Sequence, residues 1–316
     1  MYHLPDKIVV LTTRDTKRAG TMKILLATDG SRHSRRAVDL LKRAPFASPG
    51  NEVTVLVVVP TGEPPVQSAL RKEGEDIARD EAQRLQHVGC AVQTLLREGH
   101  VAKCIIDTAD EFGTELVVVG SRGLSGTKRF LLGSVSQKTI KYAPCSVLVT
   151  RPPGKRASAQ ATKEGAPLRI LLAFDGSKYA QAAVEYMASL PLSDDTQITI
   201  VTALPLITYF RTDIIQTASP EWPRRKKTAQ ADLDAASLML RRATPRVGTT
   251  LREGSDEAEE ILKVADELDT DIIVLGHKGK SAIERFLLGS VSNRVTHHAK
   301  CSVWVVRRPS HTSRQD

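Results

Sequence analysis

Aromatic residues make up only 4% of these 316 residues, and cysteine is scarcer still, with four in all. Cys90, Cys104, Cys145 and Cys301 form no CxxC pair, so no redox dithiol or thiolate metal site is written here and buried thiols are expected. The eight histidines are scattered without metal-ligand spacing, and no metal ligand is assigned. No apolar run approaches the ~20 residues of a membrane-crossing helix; the longest relevant one is Val55 to Val59. The start of the chain lacks the apolar core and cleavage site of a secretory signal, which leads to the expectation of a cytoplasmic protein with no membrane partner.

The net charge of +9 raises the question of nucleic acid, with basic clusters at Arg224 to Lys227, Arg241-Arg242 and Arg307-Arg308. A nucleic-acid module would pair a basic face with a recognition motif or stacking aromatics. Neither is found, so these clusters are taken as solvated surface.

What the chain does contain is a duplication. Gly120-Ser121-Arg122-Gly123 is followed after nine residues by Gly133-Ser134, and Gly276-His277-Lys278-Gly279 is followed after nine by Gly289-Ser290. Upstream, Lys23 to Ser31 (KILLATDGS) returns as Arg169 to Ser177 (RILLAFDGS), and Cys145-Ser146-Val147 returns as Cys301-Ser302-Val303. The repeat is too long for a solenoid unit and has the length of a domain. Two homologous domains are expected, at 22–150 and 167–307. They would be joined by a Pro/Gly/Lys-rich linker at 151–166, and flanked by an extension at 1–21 and a tail at 308–316. Because 1–21 has no counterpart ahead of the second domain, it reads as a tail or a mis-assigned start before Met22.

In each half, β-branched apolar runs alternate with helical stretches. Strands fall near 23–28, 52–59, 90–96, 115–120 and 145–150, then near 168–174, 196–203, 246–252, 271–276 and 301–306. Helices fall near 32–44, 66–88, 100–112 and 134–143, then near 178–189, 225–243, 256–268 and 290–298. The fold class is α/β: two doubly wound, Rossmann-like domains, each a five-stranded parallel sheet with helices on both faces. In such a sheet the ligand crevice lies at the carboxyl ends of the strands where their order reverses. Were the first and fourth strands neighbours there, Asp29 and Gly120 would face one cleft, as would Asp175 and Gly276.

A glycine loop running into a helix start offers backbone N–H groups and partial positive charge to an anion. Common nucleotide signatures are absent: Val274 stands where a P-loop ending at Gly279-Lys280-Ser281 needs its first glycine, and no GxGxxG exists. The aspartate after the first strand, the G-2x-G-9x-G-S loop and the ending Ala143-Pro144-Cys145-Ser146-Val147 together resemble the universal stress protein family, in its ATP-binding branch.

That resemblance implies an adenine-nucleotide site in each domain, and a role in stress response. It places Asp29 and Asp175 at the adenosine end, beside the preceding Thr28 and Phe174. Val58 and Ala203 would meet adenine through the backbone. Gly120, Gly123, Gly276 and Gly279 would pass close to ribose and phosphates, near Arg122 and Lys278. Ser134, Ser136, Ser290 and Ser292, with the amides of Gly133, Val135, Gly289 and Val291, would hold the phosphate tail. ATP is the expected ligand. ADP, AMP and cyclic AMP stay open, and any Mg²⁺ would be held through the phosphates.

The copies are unequal, because Arg122 stands for Lys278, Ser121 for His277 and Thr28 for Phe174. Gly-Ser pairs can also simply end strands and cap helices, and Asp29-Gly30-Ser31 can be a turn and cap with no ligand. His277 alone reads as a loop-surface residue. The second domain's ten extra residues near Leu206 to Lys227 bring Tyr209, Phe210 and Trp222, as a lid or as a crossover packed on its own domain.

No catalytic base is evident. The leading expectation is a nucleotide-dependent regulatory protein with unidentified protein partners; a slow ATPase or autophosphotransferase using Ser134 or Ser290, and a non-binding interaction module, stay open beside it. The apolar last strands, Val147 to Val149 and Val303 to Val306, suggest an intramolecular pseudo-dimer of the domains, with further pairing of chains open.

Overall fold

A computed structural model describes residues 22–43, 45–86, 89–123, 132–151, 167–206, 221–279 and 288–307. The expectations for 1–21, for most of the 151–166 linker, for Tyr209 and Phe210 and for 308–316 lie outside them. The chain divides into two compact units, with the boundary at Thr150 and Arg151.

The first unit runs β1 (Lys23–Ala27), α1 (Arg32–Arg43), a 3₁₀ turn at Pro45–Ala47, β2 (Glu52–Val59), α2 (Val66–Leu85), β3 (Ala91–Glu98), α3 (Val101–Glu111), β4 (Leu116–Gly120), α4 (Ser134–Tyr142) and β5 (Ser146–Thr150). Its strands are ordered β3-β2-β1-β4-β5, all parallel. Parallel pairing requires a crossover between successive strands, and each crossover buries a helix on the sheet. The central strands are therefore apolar on both faces: Leu25, Leu26, Leu116, Val117, Val118 and Leu148 are fully buried.

The second unit repeats the plan with β6 (Arg169–Ala173), α5 (Lys178–Ser189), β7 (Gln197–Pro205), α6 (Glu221–Leu240), β8 (Val247–Gly254), α7 (Glu257–Glu267), β9 (Ile272–Gly276), α8 (Ser290–His298) and β10 (Ser302–Val306). Its order is β8-β7-β6-β9-β10, again all parallel. Helix α6 starts at Glu221, four residues before the sequence suggests. Pro223 falls in its first turn, where a missing N–H costs nothing. Trp222 is buried with Leu204 and Ala229, against Leu206 and Leu251, so this part of the insertion packs on its own domain.

In both units the order reverses between the first and fourth strands: Ala27 pairs with Val119 and Ala173 with Leu275. The aspartate and the glycine loop therefore emerge side by side. The second strands overhang this point. β1 ends opposite Leu56, while β2 continues to Val59 beside β3, and β7 likewise runs past β6 to Pro205.

Candidate functional site

Each site begins where its first strand stops. Thr28 N still donates to Leu56 O at 3.0 Å, and Phe174 N to Val201 O at 2.8 Å. The chain then turns through Gly30 (φ 70°) and Gly176 (φ 72°), in the left-handed region where a side chain is strained. The carboxylate stabilises that turn: Asp29 Oδ1 accepts from Ser31 N at 3.1 Å and Asp175 Oδ1 from Ser177 N at 2.9 Å. The serines then cap the helices, with Ser31 Oγ accepting from Ser34 N at 3.3 Å and Ser177 Oγ from Ala180 N at 3.1 Å. The turn-and-cap role read as one alternative from sequence is thus present in both copies.

The second carboxylate oxygen faces the loop. A Cβ on Gly123 would lie 2.6 Å from Asp29 Oδ2, and one on Gly279 would lie 2.8 Å from Asp175 Oδ2. Only glycine lets the loop rest this closely on the carboxylate. The first glycine of each loop is required for a different reason. A Cβ on Gly120 would lie 3.1–3.2 Å from backbone atoms of Arg122, His33 and Ser34, and one on Gly276 2.8 Å from Tyr179 C and O. Helix α1 or α5 thus packs directly on the end of β4 or β9.

The loops are tied at their base. Gly133 N donates to Ser121 O and Gly289 N to His277 O, both at 2.8 Å. This differs from the expectation that these two amides would face a phosphate, since each is already engaged. Gly133 and Gly289 are the helix N-caps, so the donors without intrahelical partners are the amides of residues 134–136 and 290–292. Ser134 and Ser290 are exposed at the first helical position. They do not cap the helices.

Ser136 and Ser292 also differ from expectation. Ser136 Oγ donates to Gly120 O at 2.7 Å and Ser292 Oγ to Gly276 O at 2.8 Å. Their buried hydroxyls hold the helix start to the strand end and do not offer a proton outward. Val135 and Val291, between these serines, are half-buried. On the overhanging strands, Val58 and Ala203 are partly open positions between buried neighbours. Arg122 and Lys278 sit half-buried between the loop glycines.

Two histidines stand at this point and have exchanged places between the copies. In the first site His33, on the first turn of α1, has its pKa lowered by burial and then by Arg122 and Arg36, with Asp29 opposing. In the second, Tyr179 replaces it and packs edge-on against His277, ring centroids 4.6 Å apart. His277 is therefore half-buried and not a loop-surface residue. Burial foremost, then Arg307, lowers its pKa to about 4, and it is neutral at pH 7. His33 escaped the sequence reading because nothing in the local pattern marks it.

Among the described residues, no group of three His, Cys, Asp or Glu side chains could hold a metal ion, and no helix is long and apolar enough to cross a membrane.

The doubled arrangement of aspartate, glycine loop and helix start coincides with a family model. The model described as the universal stress protein family matches residues 20–151 and again 168–307. The chain belongs to the universal stress protein family. A Mycolicibacterium smegmatis universal stress protein is 29% identical over 300 residues, covering 90% of this chain and 96% of its own. Universal stress protein YxiE of Bacillus subtilis is 33% identical over 145 residues, 41% of this chain and 98% of its own. The crystal structure of a universal stress protein from Archaeoglobus fulgidus superposes with a TM-score of 0.63 at 21% identity, covering 92% of this chain and 100% of that one. That likeness bears on the fold.

Proposed function

We propose that each universal stress protein domain binds one adenine nucleotide, ATP foremost, and that occupancy regulates a surface read by protein partners. The observation that carries this reading is the duplicated contact between the loop glycine and the aspartate, at Gly123 and Asp29 and at Gly279 and Asp175. It brings a hydrogen-bond acceptor, a close-passing backbone and a helix start into one crevice at the strand-order reversal.

In this reading Asp29 and Asp175 accept from the ribose or base, and Val58 and Ala203 meet the base along the overhanging strands. The amides of residues 134–136 and 290–292 receive the phosphates, helped by the helix dipole and by Arg122 or Lys278. Ser136 and Ser292 position these amides without touching the ligand. An arginine can fork two phosphate oxygens where lysine offers a point charge, so the two affinities differ. Mg²⁺, where present, is held through the phosphates.

The test is to purify the chain without added nucleotide, identify and count what accompanies it, and titrate the stripped protein with ATP by calorimetry. Binding approaching two per chain is expected. No heat or bound nucleotide at millimolar ATP would refute the reading.

A further inference from the structure

In the first domain the C-terminal ends of α3 and α4 come together at the end of the sheet away from the crevice. Lys23, the first residue of β1, marks that end, its Nζ donating to O of Phe112, the C-cap of α3, at 3.5 Å. A groove of about 480 Å³ lies here, lined by Ile106, Asp107, Asp110 and Glu111 of α3, Tyr142 at the last position of α4, and Pro144.

Helix C-termini carry partial negative charge and favour cations, yet α3 has no basic residue in its last turn and closes on Asp110 and Glu111. Two of the groove's three carboxylates are paired, Asp107 with Lys103 and Glu111 with Arg97. Asp110 is exposed, and among the described residues no cation or donor meets its carboxylate. Tyr142 is 50% exposed, with Lys141 Nζ over its ring at 5.2 Å from the centroid.

The second domain shows what the position of Asp110 calls for. Asp266 is the tenth residue of α7 as Asp110 is of α3, and Lys300 precedes Cys301 as Pro144 precedes Cys145. Lys300 Nζ lies 2.5 Å from Asp266 Oδ2. The neighbouring ion pair is the same in both copies, Arg252 with Glu267 and Arg97 with Glu111. So is the backbone before the turn: Ala143 has φ −59° and ψ 140°, Ala299 φ −57° and ψ 142°. The copies share the carboxylate and the turn, and the first lacks the ammonium.

We propose that this groove of the first domain is a docking surface for a basic segment of a protein partner, whose lysine takes at Asp110 the place that Lys300 fills at Asp266. An exposed pair of this kind contributes little in water. A docked segment excludes water from it and strengthens it, while apolar residues flanking the lysine rest on Ile106 and Tyr142. The proposal goes beyond the nucleotide reading and does not depend on it, because the groove and the crevice lie at opposite ends of the sheet.

The probes are two matched sets of acetylated, amidated pentapeptides with apolar or small residues at the outer positions, one set with a central lysine and the other with norleucine. Both are screened against the full chain by fluorescence polarisation, and the tightest lysine peptide is titrated beside its norleucine counterpart. The lysine peptide should bind at least about tenfold more tightly, the size of one hydrogen bond to a charged group, and the difference should shrink at high salt. Asp110→Asn should remove the preference. Pro144→Lys should remove it too, by supplying the ammonium from within on a backbone that already carries lysine in the second domain. Asp266→Asn should leave it in place.

A preference of less than tenfold overturns the proposal, as does one that survives either first-domain variant or disappears with Asp266→Asn. Light scattering tests the other occupant. A mass that doubles with concentration and returns to that of one chain in Asp110→Asn would seat a second copy in the groove and refute the partner.

Discussion

Replacing Gly276 by alanine isolates the packing of α5 on the end of β9. The added Cβ would sit 2.8 Å from Tyr179 C and O and 3.1 Å from Ala180 N. These are backbone atoms of a helix turn and cannot rotate aside, so helix and strand must separate by roughly half an ångström, a strain of about 1–3 kcal/mol. The backbone of Gly276 is outside the left-handed region, so alanine adopts it freely and gains about 0.4–1 kcal/mol by restricting the unfolded chain. A net loss of about 1–2 kcal/mol is expected. The chain's two tryptophans, Trp222 and Trp304, both belong to the second domain, so fluorescence during urea unfolding follows that domain. The midpoint should fall by roughly 0.5–1 M at the usual urea slope. Gly120→Ala, whose nearest contacts are 3.1–3.2 Å, should cost less by circular dichroism. An unchanged midpoint for Gly276→Ala, or a larger loss for Gly120→Ala, would refute the reasoning.

Ser292→Ala should cost about 1–3 kcal/mol by leaving Gly276 O without its donor, and Ser136→Ala less because Gly120 is half-exposed. Threonine at either position keeps a hydroxyl and should restore most of the loss in the same unfolding assay. His277 has a folded pKa near 4 against an ordinary 6.5. The unfolded chain therefore binds the proton first, and stability falls as pH drops from about 6.5 to about 4, then levels. His277→Asn should flatten that slope in melting temperature against pH, and an unchanged slope would contradict the assignment. Burial pushes the Cys301 thiol up to about 12, and Cys145 is also buried. A disulfide-exchange reagent at pH 8 should therefore label Cys90 and Cys104 alone in the native chain, as mapped by mass spectrometry after a quench.

The fold was largely legible because its signals are periodic and doubled. Apolar runs such as Val117 to Val119 and Ile272 to Leu275 alternate with helical stretches and call for parallel strands with crossover helices, while the strand order was only a condition in the sequence and is set by the structure. Asp29 and the loop of Gly120 and Gly123, 94 positions away at Gly123, were legible as neighbours through the rule that places the crevice where strand order reverses. Directions of individual hydrogen bonds were not legible. That Gly133 N turns to Ser121 O, and Ser136 Oγ to Gly120 O, depends on how α4 seats on β4, which no local pattern encodes.

The tie between Gly133 and Ser121, repeated between Gly289 and His277, has a consequence for how these domains can change over time. The two stems of the glycine loop are joined by one backbone bond that no side chain supplies. The bond therefore keeps strand and helix at one separation whichever side chains stand in the interval. The two copies share its second residue and its closing Arg-Phe-Leu-Leu and differ at the other four, LSGTKRFLL in one and KSAIERFLL in the other. An inherited frame with a partly exchanged insert lets one chain carry two loops that diverge at those positions.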